Sequence, residues 1–339
     1  MKIDKIHKNF ELLLKKIDKN LSLLFCEEDS LELELADSLE HLIIDSSKQY
    51  LEHPICVRFF WIDNQEVNAC VTKIEDIYCI GLFTGITTSL IEHIKTFYQN
   101  GLGDLEGIEL PSKNLYLDVL NDESKQGKLG NYIFTLAFFY LAMHEYGHIL
   151  CGHCDKKMSM SLFFEDDKNT KGCYDEQAKE YMADFYGIAN SLSLMLCSYL
   201  TNISDIGIIT TLYITAVHSI FWIFNDGFIP LEKCNCNVMT HPHPMVRMGY
   251  FFELIEIELQ HSLEIFEKHK QLKIKIDNAA EHIVGAAIED FINIISRGDM
   301  NFAIYDLLNE KCDREIKRIS ETAKEIKEYY RAAALIDYM

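Results

Sequence analysis

The sequence predicts a mainly α protein with a small antiparallel β-sheet, an α+β fold. Three observations predict it. Apolar residues recur near a period of 3.6 through the first fifty residues, short β-rich runs cluster between about 55 and 82, and helical patterning fills nearly everything after about 131. With 339 residues, 48% hydrophobic and 25% charged, the chain is long enough to bury a sizeable core, and no Pro/Gly/Ser-rich linker divides it. The expected organisation is N-terminal helices over 1–50, a central domain over 51–270, and a C-terminal helical extension over 271–339 packed on the core.

The first helices are placed by Leu12, Leu13, Ile17, Leu21 and Leu24. The runs Ile55–Ile62, Val67–Val71 and Ile77–Leu82 are separated by the turn-forming Asp63-Asn64-Gln65 and Glu75-Asp76, the pattern of a meander. A helix over Thr87–Gln99 follows, then a glycine-containing loop at Gly101, Gly103 and Gly107, and one further candidate strand at Asn114–Leu120. Downstream the expected helices cover about 131–153, 174–200, 205–224, 244–269, 272–296 and 301–336. Ile206–Phe224 carries no formal charge and approaches the length of a membrane span. Its Thr210, Thr211, Thr215, His218 and Ser219 favour a buried core helix, with membrane association left as the less favoured reading.

A formal net charge of −21 argues against nucleic acid as a partner, because binding phosphates needs a basic surface that releases counterions. A protein or peptide substrate fits better. The N-terminus alternates charged and apolar residues without the apolar stretch of a signal peptide. Eleven cysteines, an odd number in a chain too large to need disulfide staples, suggest reduced thiols and a cytoplasmic location.

The chemistry concentrates at His144-Glu145-Tyr146-Gly147-His148. Positions i and i+4 stand on one helix face, so His144 and His148 present two imidazoles to one ion, a geometry that suits Zn2+. Glu145 can take the proton of a water activated by that ion, and Gly147 leaves room beside His148. The apolar run Ile133–Met143 puts the motif on a buried helix. A third ligand is needed. A three-histidine site would require Gly and His three and six residues after His148, where Cys151 and Cys154 stand instead, with Gly152 and His153 out of register. A carboxylate on a later helix is the alternative. Glu180 and Asp184 share one face at i and i+4, the first as ligand, the second able to hold a ligand imidazole by its free N–H. Glu176, one turn earlier, is the alternative ligand.

Together with Thr240-His241-Pro242 and Arg247, these motifs resemble the gluzincin peptidases related to the HtpX heat-shock protease and the prenyl-protein CAAX protease. Asn68–Val71 and Ile80–Ile86 look like that group's strand and glycine-containing segment before the active-site helix, so the resemblance covers about 65–250. It implies a zincin-like core in which Glu145 activates water and His144, His148 and Glu180 bind one Zn2+. His241 or Arg247 would contact the substrate carbonyl or the tetrahedral intermediate. The group's multiple membrane spans are missing here, which favours a soluble relative. The zinc motif alone also resembles that of the phage-exclusion peptidase Lit.

The expected function is therefore a cytoplasmic zinc-dependent endopeptidase. Two other readings stand beside it: a non-catalytic zincin-fold binding or sensing module, and a membrane-anchored processing protease. Of the remaining signals, Cys151 with Cys154 and Cys234 with Cys236 have spacings that a structural zinc would accept, but reduced thiols are expected. His218 reads as a core residue. His153 reads as a surface cap or as a substrate-site donor. The charge-laced C-terminal helices read as a solvated cap, with a partner-binding surface as the sharper option.

Overall fold

The computed structural model describes residues 2–27, 30–51, 54–99, 117–122, 124–154, 170–199, 203–224, 230–268, 279–296 and 310–330. Two helices lead, α1 (Lys2–Ile17) and α2 (Leu31–Tyr50), followed by the strands β1 (Cys56–Ile62), β2 (Ala69–Ile74) and β3 (Ile77–Phe83). Then come α3 (Thr84–Gln99), α4 (Lys125–Leu150), α5 (Thr170–Tyr199), α6 (Ile203–Ile223), α7 (Pro244–Lys268), α8 (Ala279–Ser296) and α9 (Glu310–Tyr330), with two 3-10 turns, Leu231–Lys233 and Cys236–Val238, before α7. The protein is mainly helical with one small sheet, as its sequence predicts.

The sheet is mixed, and this corrects the expected antiparallel meander. Its order is β1-β3-β2, with β2 antiparallel to β3 and β1 parallel to β3. The most apolar strand takes the centre: β3 is buried on both faces, whereas β2 carries Thr72 and Lys73 and suits an edge. Side chains alternate strictly. Val57, Phe59 and Trp61 of β1 and Tyr78, Ile80 and Leu82 of β3 join the main core, while Ile62, Cys79 and Phe83 turn to the opposite face. There α1 covers them with Ile6, Phe10 and Leu14, spaced four residues apart on one stripe. Leu12, one of the residues that suggested the first helix, lies off that stripe and is 52% exposed.

The outer edge of β1 is closed. Leu24 N–H donates to Trp61 O at 2.8 Å, Asp63 N–H donates to Ser22 O at 2.9 Å, and the Glu40 carboxylate on α2 accepts from Phe59 N–H at 2.8 Å. Among the described residues no strand pairs with the outer edge of β2. Of the expected strand at Asn114–Leu120, residues 117–120 are described and are not a strand. Side chains of α4 satisfy their backbone instead: Thr135 accepts from Leu117 N–H, and Asn131 Oδ1 accepts from Val119 and Leu120 N–H. Residues 114–116 and the loop with Gly101, Gly103 and Gly107 lie outside the described residues.

One core cluster runs from Leu35 on α2 to Ile319 on α9, so the three expected stretches of chain share it. Its axis is α4, buried from Leu129 to Leu150 except at Phe139, which is partly exposed. Ser124 caps its start by accepting from Gly127 N–H at 3.0 Å. Helix α5 packs closely against α4 because Gly147 has no side chain: a Cβ there would sit 2.6 Å from Ala183 O. One stretch among the described residues, Ile206–Ile223, is long and apolar enough to cross a membrane, and 83% of it is buried inside the fold. It packs as a core helix between α3, α4 and α8.

Candidate metal centre

The close crossing of α4 and α5 brings the sequence motifs together. His144, His148 and Glu180 each offer a donor atom, these atoms lie within 4.8 Å of one another, and all three residues are buried. His144 Nε2 is 3.4 Å from Glu180 Oε2, and His148 Nε2 is 3.3 Å from Glu180 Oε1. Each imidazole thus faces a different oxygen of the same carboxylate. This buried His-His-Glu group can hold a metal ion, and it is the one such group among the described residues.

Glu145 is 4% exposed and lines the same pocket as His144, His148, Glu180, His241 and Arg247. Its Oε2 has no hydrogen-bond partner among the described residues. Burial raises its pKa above the ordinary value, against the opposing pull of His148 and His144. A basic carboxylate oxygen with nothing to accept is therefore held beside the donor triad.

Asp184 is fully buried and heavily donated to. Arg247 forks onto it with Nε–Oδ2 at 3.0 Å and Nη2–Oδ1 at 2.6 Å, and the hydroxyls of Tyr140 and Tyr250 donate to Oδ1 and Oδ2, each at 2.5 Å. His144 Nδ1 approaches Oδ1 to 2.8 Å, though without good hydrogen-bond alignment. Burial alone would raise the Asp184 pKa, but the Arg247 charge and His144 hold it well below the usual carboxylate range. Asp184 thus backs the ring of His144, as its i+4 position relative to Glu180 suggests.

The other site residues divide. Glu176 does not join the triad: its Oε1 is 2.5 Å from Lys179 Nζ. Its carboxylate is engaged by an i,i+3 partner on α5, and the donor group found among the described residues contains Glu180 instead. His241 stands at the pocket mouth, 36% of its side chain exposed, with Nε2 3.8 Å from Glu180 Oε2. Arg247 lies deeper. It holds Asp184, sits over the Phe221 ring at 4.2 Å, and is 3.9 Å from Glu180 Oε2.

Three features were not read from the sequence. Tyr140 precedes His144 by one turn and Tyr250 follows Arg247 by one turn, so helical spacing could have found both. Gln177 fixes the segment leading to His241 by donating to Cys236 O at 2.7 Å and Met239 O at 2.5 Å, and Arg318 of α9 donates to Gln177 Oε1 at 2.6 Å. No sequence signal announces that link, and it shows α9 packed into the structure as well as facing solvent. Neither cysteine pair builds a second donor cluster among the described residues, and the described cysteines form no disulfide. His153 is 7% exposed, so it is not the surface cap residue that one reading expected. Its Nδ1 lies 2.8 Å from His148 Nδ1.

Comparison with protein-family profiles, with curated proteins and with solved structures finds no match to this chain.

Proposed function

We propose that this protein is a zinc-dependent endopeptidase that hydrolyses peptide bonds of a protein substrate. The observation that carries the reading is the Glu145 carboxylate, buried and with Oε2 lacking a hydrogen-bond partner among the described residues, in the pocket formed with His144, His148 and Glu180. Holding a metal does not require that residue, whereas hydrolysis requires a base. Two imidazoles and one carboxylate suit zinc and leave a coordination position open. Zinc bound there supplies a Lewis acid that lowers the pKa of water towards neutrality and polarises a carbonyl oxygen.

The residues then divide the work. Glu145 Oε2 accepts a proton from the attacking water and returns it to the departing amine as the C–N bond breaks. His241, at the pocket mouth, donates to the oxygen on which negative charge develops. Arg247 acts through Asp184, keeping that carboxylate ionised against His144. Asn68 and Ala69 line the pocket at the start of β2, whose outer edge has no strand partner among the described residues. An extended peptide laid along that edge by main-chain hydrogen bonds would reach the donor triad. The charge of −21 and the buried position of α6 favour a protein substrate met in the cytoplasm, and the motif resemblance to gluzincins points the same way.

Glu145→Gln tests this. Cells expressing the wild type should accumulate new peptide termini that the variant does not produce, while both purified proteins carry the same zinc content. On a peptide substrate, kcat/KM should fall by about 10²–10⁴-fold. Identical termini with zinc retained in both would end the hydrolytic reading.

A further inference from the structure

We propose that His153 is the positioning residue of His148, accepting its Nδ1–H and so holding the imidazole in the one neutral tautomer whose Nε2 can bind a metal. The proposal rests on the metal reading above and adds to it a residue that no sequence motif assigned.

The placement begins in the backbone. Helix α4 ends at Cys151, and Gly152 adopts φ 74°, the left-handed conformation that glycine reaches without a Cβ clash. Gly152 N–H then bonds to Ile149 O and His153 N–H to His148 O, both at 3.0 Å. These two bonds are those of a Schellman ending, which folds the chain back over the last turn. The fold-back sets the His153 ring against the His148 ring, centroids 5.1 Å apart at 60°. The Gly-His pair that is out of register for a third histidine ligand therefore supports the second ligand from behind.

The proton count gives the direction of the bond. Two Nδ1 atoms 2.8 Å apart share one proton. If His153 donated it, neutral His148 would carry its own proton on Nε2, the atom that faces Glu180 Oε1 at 3.3 Å, and would have no lone pair there. If His148 donates it, Nε2 keeps its lone pair and points at the donor triad. His153 then carries its proton on its own Nε2. The two ligand imidazoles are thus backed differently: His144 by an ionised carboxylate, His148 by a neutral ring.

Zinc affinity by chelator competition on the full-length protein tests the inference without recourse to activity. His153→Leu removes the acceptor and should weaken zinc binding about 10–100-fold. His153→Asn puts Oδ1 where Nδ1 stood and should recover most of that loss, with the cobalt-substituted absorption spectrum following the same order. In zinc-loaded wild type, the His148 Nδ1–H proton should appear as a slowly exchanging downfield NMR resonance. Wild-type affinity in His153→Leu, an Asn variant as weak as the Leu variant, or no protected resonance in the wild type would overturn the proposal. Wild-type protein that takes up no zinc at all would instead remove the metal reading, and this inference with it.

Discussion

Two pairs of histidines are buried in the same helical core, and their surroundings differ in kind. His144 and His148 stand on α4 facing Glu180, with Asp184 and His153 behind them. His93 on α3 and His218 on α6 stand among rings: their centroids are 6.3 Å apart, Trp222 lies 6.0 Å and 5.8 Å from them, and Phe291 is 5.0 Å from His218. Burial disfavours a charged imidazole in both places. Among the rings it wins, pushing His218 down to about 4 and His93, with His218 beside it, down to about 3. In the site burial is overcome, and Asp184 and Glu180 hold His144 up at about 10. Two close imidazoles therefore do not by themselves make a group that can hold a metal ion; a converging carboxylate is needed as well.

The largest expected effect follows from removing the carboxylate that faces both imidazoles. Glu180→Ala leaves two ligands and should abolish stoichiometric zinc in the purified protein, whereas Glu176→Ala, which breaks only the pair with Lys179, should keep it. Metal analysis of the two variants separates them. Zinc lost from the Glu176 variant and kept in the Glu180 variant would overturn the ligand assignment and the comparison built on it.

A smaller but compound effect is expected behind the site. Asp184→Asn removes the carboxylate onto which the buried Arg247 forks and leaves it only Glu180, 3.9 Å away, which should cost about 3–5 kcal/mol of stability in chemical denaturation. It also takes the carboxylate from behind His144 and should weaken zinc binding about 10–100-fold. Unchanged zinc affinity beside lost stability would reduce Asp184 to a structural anchor, and the two histidine pairs would differ less than their surroundings suggest.

What was legible in advance follows the same division between local and distant effects. The i,i+4 spacings of His144 with His148 and of Glu180 with Asp184 are properties of a single helix, so each pair could be read before the fold was known, as could the helices that carry them. The pairing of β1 with β3 across the intervening β2 depends on which strand is buried on both faces, a global property. The pairing of Glu176 with Lys179 and the hydrogen bonds of Tyr140 and Tyr250 to Asp184 were within reach of helical spacing but carried no motif. His153, expected as a surface cap or a substrate-site donor, is buried because the left-handed Gly152 turns a residue beyond the helix end back against His148.

The smallest expected effect tests the aromatic pair directly. A buried histidine whose folded pKa is about 4 stays neutral where the unfolded chain, at about 6.5, takes up a proton. The unfolded state thus binds more protons between about pH 6.5 and 4, so the stability this group contributes is present above 6.5 and is lost progressively as pH falls through that window. From pH 7 to pH 5 the His218 share amounts to about 2 kcal/mol. His218→Phe keeps a ring among Trp222 and Phe291 and removes the titration, so its unfolding free energy should decline less steeply over the same interval. The substitution leaves every other histidine in place and takes His218 from beside His93, so the difference in slope reports this aromatic pair. Parallel pH profiles for wild type and variant would mean that the second pair is not held neutral by burial, and the contrast with the metal site would have to be drawn on geometry alone.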